Sequence, residues 1–163
     1  MDEDPTELAR RLLTAAAEHG WTIAVAESLT GGAVCSALVD VPGASAVLRG
    51  GVVAYATPLK AALLGVDASL LAQRGAVDPD VARAMARGVR ERLGSDVGLA
   101  TTGVAGPDPQ DGRQPGTVHV AVATATDVRV MSLLLTGDRV QVRAGAVRAV
   151  LRLALDELGA APE

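Results

Sequence analysis

Apolar residues recur along the chain with two different periods, and the switches between those periods mark its elements. Leu8, Leu12, Ala15 and Ala16 have the spacing of one helical face. Ahead of them, "DPTE" offers Asp4 as N-cap, Pro5 at the first helical position and Glu7 for a capping box, and Gly20 is the expected stop. "WTIAVAES" then reads as a short strand that breaks at a polar turn, after which "LTGGAVCSALVD" restarts as a helix with Val34, Cys35, Leu38 and Val39 on one face. "AVLRGGVVAY" reads as a second strand with a glycine bulge. "TPLKAALLG" reads as a short helix capped by Thr57, with Pro58 at its first position and Gly65 as its stop.

A further short helix is expected near Asp67 to Gln73. "DPDVARAMARGVRERLG" follows, capped by Asp78 and carrying Val81, Met85, Val89 and Leu93 as a stripe. "DVGLATTG" is a third strand running into the Gly/Pro/Asp-rich loop "VAGPDPQDGRQPG". "TVHVAVAT" and "VRVMSLLLT" predict an antiparallel hairpin. A last helix from about Gly137 to Leu158 is expected to turn Val140, Ala144, Val147, Leu151 and Leu158 inward, with Gly159 and the following alanines as a frayed end. Five strands with flanking helices predict an α/β fold, a three-layer α/β/α sandwich on a five-stranded mixed sheet, as one domain over residues 1–163.

Composition narrows the function classes. A chain of 163 residues can bury a sizeable core without staples, and a single cysteine excludes an internal disulfide. With His19 and His119 as the only histidines, a four-ligand Cys/His zinc site cannot be assembled. Net charge −4 and two aromatics, Trp21 and Tyr55, supply neither the basic field nor the stacking platforms that nucleic acids need. Neither a signal-like N-terminus nor a membrane-length apolar run is visible, so a soluble cytoplasmic protein is expected.

One departure from this composition points to chemistry. Arginine supplies every basic side chain except one, Lys60, and that lysine lies in "YATPLK" beside the only tyrosine, Tyr55. An amine can lose its proton near neutral pH and a guanidinium cannot. Lys60 is expected in a first helical turn, where the dipole disfavours the ammonium. In open α/β sheets, ligands collect where strands run into helix N-termini, and three such turns are visible: "AESLTGG", "YATPLK" and "TTGVAGPD". The first places Ser28 at a strand end and N–H groups near Gly31 and Gly32 where an oxyanion would be held. Neither histidine is placed to activate a serine, so a neutral Lys60 is the candidate base for Ser28. Tyr55 is a candidate proton relay or substrate contact, and Glu27 either orients Lys60 or holds the turn. Arg139 and Arg143, four apart at the start of the last helix, would share a face suited to a phosphate. Thr102, Gly103 and Gly106 are candidate pocket-lining residues, and Cys35 is expected in the core.

The motifs "AESLTGG", "GGVVAYATPLKAALLGV", "GAVDPDVARAMARGVRERLG", "TTGVAGPD", "GTVHVAVAT" and "GDRVQVR" stand in the order and spacing of the C-terminal domain of the competence/damage-inducible protein CinA. The chain resembles that family over nearly its whole length. The longer members carry an additional N-terminal domain, for which this chain has no room. The stand-alone form resembles nicotinamide-nucleotide amidohydrolase, which converts nicotinamide mononucleotide to nicotinate mononucleotide and ammonia in pyridine nucleotide salvage. The resemblance implies Ser28 as nucleophile, Lys60 as its base and Tyr55 as an accessory group. Glu27, Thr30, Gly31, Gly32, Thr102, Gly103, Gly106, Arg139 and Arg143 are the candidate substrate contacts for a small-molecule nucleotide, the chemistry is expected to need no metal or cofactor, and the resemblance implies a homodimer or larger homo-oligomer. The rival reading is a catalytically idle nucleotide-binding or regulatory module linked to competence or DNA damage. "DGRQPG" departs from relatives that often carry a lysine and one more residue there.

Overall fold

Three strands alternate large and small apolar residues, and that alternation sets the layers. Ile23 and Val25, Val97 and Leu99, and Val118, Val120 and Val122 face one side, while Ala24, Ala26, Ala100, Ala121 and Ala123 face the other. The computed structural model describes residues 3–160. Its elements are α1 (Pro5–His19), β1 (Ile23–Glu27), α2 (Ala33–Val39), β2 (Leu48–Val53), α3 (Thr57–Leu64), α4 (Ala68–Arg74), α5 (Pro79–Leu93), β3 (Val97–Gly103), β4 (Thr117–Ala123), β5 (Val128–Leu134) and α6 (Arg139–Ala160). The sheet order is β2-β1-β3-β4-β5, with β2, β1 and β3 parallel and β4 antiparallel to both β3 and β5. Helices α1, α2 and α6 cover the large-residue face, and α3, α4 and α5 cover the alanine face. The three-layer α/β/α sandwich on a five-stranded mixed sheet is therefore as expected.

The small-residue face lets α5 lie close to the sheet. A Cβ at Gly98 would run into the Ala86 carbonyl, and one at Gly88 would run into the Leu64 carbonyl at the end of α3. Close packing of this kind leaves α3 little freedom, and α3 carries Lys60.

Several local details differ from the expected ones. Glu7 turns away from the capping box and pairs with Arg10, so Asp4 caps α1 alone by accepting the Thr6 N–H at 3.0 Å. Ala56, without a side-chain cap, precedes α3, and Thr57 is already helical. On α2 the buried residues are Val34 and Leu38; Cys35 is half-buried and Val39 is exposed. The inward stripe of α6 also sits elsewhere than predicted. Val140 is exposed and Ala144 only half-buried, whereas Val142, Ala146, Val150 and Ala154 join Val147, Leu151 and Leu158 in the core. A helix laid across two neighbours and a sheet buries more than one stripe, which blurs the period read from sequence. The helix continues through Gly159 to Ala160; Ala161 lies outside the described residues. A bulge is present in β2, but its extra residue is Arg49 rather than a glycine: β1 and β2 slip register between Ile23 and Ala24, and the Arg49 side chain donates to the Leu93 carbonyl at 2.6 Å. Among the described residues, no helix is long and apolar enough to cross a membrane.

Candidate active site

The three parallel strands end at the same edge of the sheet, and each hands its chain to one wall of a single cleft. Ser28 follows β1, Ala54 and Tyr55 follow β2, and Thr102 to Gly106 close β3. The cleft has a volume of about 360 Å³, the small end of the usual range for ligand pockets, and Ser28, Tyr55, Thr102, Gly103, Gly106 and Arg139 all line it.

Among the described residues Lys60 is the largest fully buried side chain, at 1% exposure. Its Nζ lies 2.9 Å from Ser28 Oγ, 2.8 Å from the Ala54 carbonyl oxygen and 3.3 Å from that of Tyr55. Three acceptors match the three N–H bonds of an ammonium. They also match the neutral amine, which donates two N–H bonds to the carbonyls and takes the Ser28 hydroxyl proton on its lone pair. The same geometry therefore serves both protonation states without rearrangement. Burial pushes Lys60 down from its usual 10.5 to about 8, and the negative charge of Asp111 acts in the opposite direction. Desolvation is thus the main cause of the shift. With the folded value below the unfolded one, the unfolded chain binds more protons between pH 8 and 10.5. Lys60 therefore adds to stability as pH rises through that window.

Ser28 is held by a turn whose polar groups are largely spent on each other. Its N–H donates to the Thr101 carbonyl at 3.1 Å, and its own carbonyl accepts from Gly31 N–H at 3.1 Å. The Gly31 N–H, expected to face an anion, is therefore engaged within the turn. Gly31 and Gly32 have φ of 57° and 101°, which a side chain rarely adopts, so glycine is what lets the strand turn sharply into α2. Thr30 is fully buried, with Oγ1 2.8 Å from Thr101 Oγ1.

Glu27 holds the turn and does not touch Lys60. Its two carboxylate oxygens accept the Val34 and Cys35 N–H groups at 2.8 and 3.1 Å, taking up donors that the start of α2 leaves unpaired. Glu27→Gln puts an NH₂ against one of those donors and is expected to lower unfolding stability by about 1–3 kcal/mol, read from the urea midpoint. Cys35 packs beside Gly51, where a Cβ would collide with its sulfur, and burial with the nearby Glu27 charge pushes its thiol up to about 11. An unreactive, packing cysteine results.

The two arginines part company. Arg139 lines the cleft and donates to the Gly106 carbonyl at 2.7 Å and to the Tyr55 hydroxyl at 3.1 Å. Arg143 instead braces the serine turn from behind, with Nε on the Leu29 carbonyl at 2.9 Å and Nη2 on that of Thr30 at 3.0 Å. Tyr55 is 58% exposed; its phenol meets Arg139 at the rim, while its backbone carbonyl is what reaches Lys60. Thr102 lines the cleft, and its hydroxyl donates to the Ala76 carbonyl at 2.8 Å. A Cβ at Gly103 would strike the Thr117 carbonyl, so glycine permits the close approach of β3 to β4.

Sequence reasoning missed one wall of the cleft. Ala76 and Val77, between α4 and α5, line it together with Ser28, and Asp111 holds Ala76 from the long loop. Apolar connector residues carry no chemical signature in a sequence; the one signal that could have pointed to this wall is the unread "DG" dipeptide at Asp111-Gly112, which favours a tight hairpin.

Fold and site together define an open α/β domain with a buried serine–lysine pair at the carboxyl ends of its parallel strands. The family model for the CinA C-terminal domain matches residues 5–158, and the chain belongs to that family. A CinA-like protein of Frankia casuarinae is 52% identical over 141 residues, covering 86% of this chain and 33% of that protein. One from Gemmatimonas aurantiaca is 46% identical over 157 residues, covering 96% and 36%. The chain thus spans about a third of the length of these curated relatives. Among solved structures, the competence damage-inducible protein A of Klebsiella pneumoniae superposes with a TM-score of 0.94 at 30% identity, covering 98% of this chain and all of that one. The competence/damage inducible protein of Agrobacterium tumefaciens gives 0.91 at 33% identity, covering 98% of each.

Proposed function

We propose that this protein is an amidohydrolase that deamidates nicotinamide mononucleotide to nicotinate mononucleotide and ammonia. The observation that carries the reading is the buried Lys60 amine, 2.9 Å from Ser28 Oγ and otherwise bonded only to main-chain carbonyls. A serine hydroxyl becomes a useful nucleophile when a base takes its proton, and an amine titrating near 8 is such a base at physiological pH.

In the proposed reaction Ser28 Oγ bonds to the carboxamide carbon as its proton passes to Lys60 Nζ. The carbonyl electron pair moves onto oxygen and is met by main-chain N–H groups of the 28–32 turn, those of Leu29 and Gly32 being the candidates now that Gly31 is engaged. The tetrahedral species collapses, the C–N bond breaks, and Lys60 returns the proton to the departing nitrogen, releasing ammonia. Water then adds to the Ser28 ester as Lys60 takes one of its protons; the bond from the acyl carbon to Ser28 Oγ breaks, Lys60 returns that proton to Oγ, and the remaining acid proton passes to solvent as the carboxylate leaves. Each proton moves among Ser28, Lys60, substrate and water, so the chemistry asks for no metal or cofactor.

Nucleotide specificity is assigned to Arg139 at the rim, where a phosphate would replace the Gly106 carbonyl and the Tyr55 hydroxyl as its partner. Arg139→Ala is expected to raise KM for the nucleotide about tenfold or more while leaving the riboside much less affected. Equal losses on both ligands would remove the phosphate assignment. Arg143, with two of its donors on the serine turn, acts in this reading as the brace of that turn. Thr30, Gly31 and Gly32 shape the turn, Thr102, Gly103 and Gly106 form the opposite wall, and Glu27 fixes α2. A cytoplasmic homo-oligomer acting on a free nucleotide completes the proposal. The test is ammonia release from nicotinamide mononucleotide by the purified chain, with equimolar nicotinate mononucleotide expected. Tight binding without ammonia would favour a regulatory nucleotide-binding module.

A further inference from the structure

The small hairpin within the long loop has no part in the five-stranded sheet, yet it is built with care. Gln110 N–H donates to the Arg113 carbonyl at 3.0 Å and Arg113 N–H returns the bond to Gln110 at 2.8 Å. Between them Asp111 and Gly112 have φ of 50° and 73°, the two left-handed positions of a type I′ turn. Among the described residues Asp111 is the only non-glycine with a positive φ. Its carboxylate accepts the Ala76 N–H at 3.0 Å and packs on Gly75, where any Cβ would collide with it. The carbonyl of the same Ala76 is held by Thr102 Oγ1 at 2.8 Å. Ala76 is thus pinned at both of its main-chain polar groups, and it lines the same cleft as Ser28.

We propose that Asp111 is a positioning residue of the serine–lysine site, clamping the 75–77 wall through Ala76 and placing a fixed negative charge beside the cleft that holds Ser28. The proposal rests on the serine–lysine reading above and names what tunes its base. Most of the other charged groups around the cleft are bonded elsewhere. From β1, Glu27 spends both oxygens on α2. At the start of α5, Asp78 accepts the Asp80 N–H and lies within 4.0 Å of Arg113. On β4, His119 is bonded through Nδ1 to Ser132, and from α6 Arg139 is on Gly106 and Tyr55. Of the helices packed on α3, α5 sends Arg92 only to its far end, at the Leu63 carbonyl, and α4 has Arg74 paired with Asp80. Asp108 also lines the cleft, but Asp111 is the group whose charge holds protons on Lys60. A base kept from becoming too weak takes the Ser28 proton more readily, while still being partly unprotonated near neutral pH.

The single lysine makes a direct test available. With ¹³C-labelled lysine incorporated, the ε-carbon of Lys60 is one NMR signal whose shift follows its protonation. A midpoint of about 8 is expected for the parent. Asp111→Asn keeps an oxygen for the Ala76 N–H but removes the charge, so the midpoint should fall by about 0.3 to 1 pH unit, less in high salt because Asp111 is exposed. A midpoint that stays put or rises in the folded variant overturns the charge role. For the clamp, Ala76 amide exchange should be about tenfold faster in Asp111→Ala than in Asp111→Asn. Equal protection in the two overturns that half. Neither readout requires turnover, so a protein that releases no ammonia would defeat the proposed reaction without deciding this result, and an unmoved Lys60 titration would defeat this proposal without touching the reaction.

Discussion

Ser28→Ala is expected to lower ammonia release from nicotinamide mononucleotide by at least about 10⁴-fold, the scale seen when a covalent nucleophile is deleted from a hydrolase. The substitution removes one hydroxyl from a turn whose shape is kept by main-chain bonds from Ser28 N–H to Thr101 and from Gly31 N–H to Ser28. Neither bond uses the side chain, so fold and nucleotide affinity should survive. Lys60 would keep its two carbonyl partners, Ala54 and Tyr55. Calorimetric binding and steady-state turnover on the same preparation separate the two effects. Loss of binding together with turnover would mean that the turn itself had collapsed, and near-normal turnover would remove Ser28 as nucleophile.

Lys60→Arg is expected to cost about 10²- to 10⁴-fold in turnover, the usual contribution of a general acid–base group. A guanidinium remains protonated at any relevant pH, so it has no lone pair to offer the Ser28 hydroxyl. It is also larger and planar, in a site where the amine is 1% exposed. A stability loss of about 1–3 kcal/mol from overpacking is therefore expected as well. Activity must be compared at a temperature where both proteins are folded. In the parent, kcat/KM should rise with pH and level off above about 8 as Lys60 loses its proton. That ascending limb should vanish in Lys60→Arg, and its persistence would assign the limb to another group.

The sequence carried the layer order and the location of the site because both rest on strong local signals. Asp4-Pro5 and Asp78-Pro79 mark helix starts, Gly20 and Gly65 mark stops, and three strand-to-helix turns mark the ligand edge. Lys60 stood out because it is the only lysine. What was not legible depends on contacts between distant segments. The sequence offered the dipole of α3 first, with partial burial as an addition, as reasons for a lowered Lys60; burial beneath the strand ends is the larger cause, and its extent is a tertiary property. The pairing of Arg143 with Leu29 and Thr30 spans more than 100 residues, and helical spacing alone gave it the same role as Arg139. The inward face of α6 was misplaced at Val140 because that helix packs against α1, α2 and the sheet together.

The alternation of valine or leucine with alanine or glycine in β1, β3 and β4 was on the page, but its meaning appears only with α5 in place. The small face brings that helix down onto the sheet and fixes α3 against it through Gly88. That packing holds the helix that carries Lys60, and burial is what pushes its pKa down.

The proposed reaction makes a covalent intermediate on one named atom, and rapid acid quench followed by mass spectrometry looks for it directly. Within the first turnover on nicotinamide mononucleotide, the protein should gain the mass of the nucleotide less ammonia, and peptide mapping should place that gain on Ser28. Ammonia formed in the first turnover with the protein mass unchanged, or an adduct on any other residue, would contradict a serine acyl-enzyme formed with Lys60 as its base.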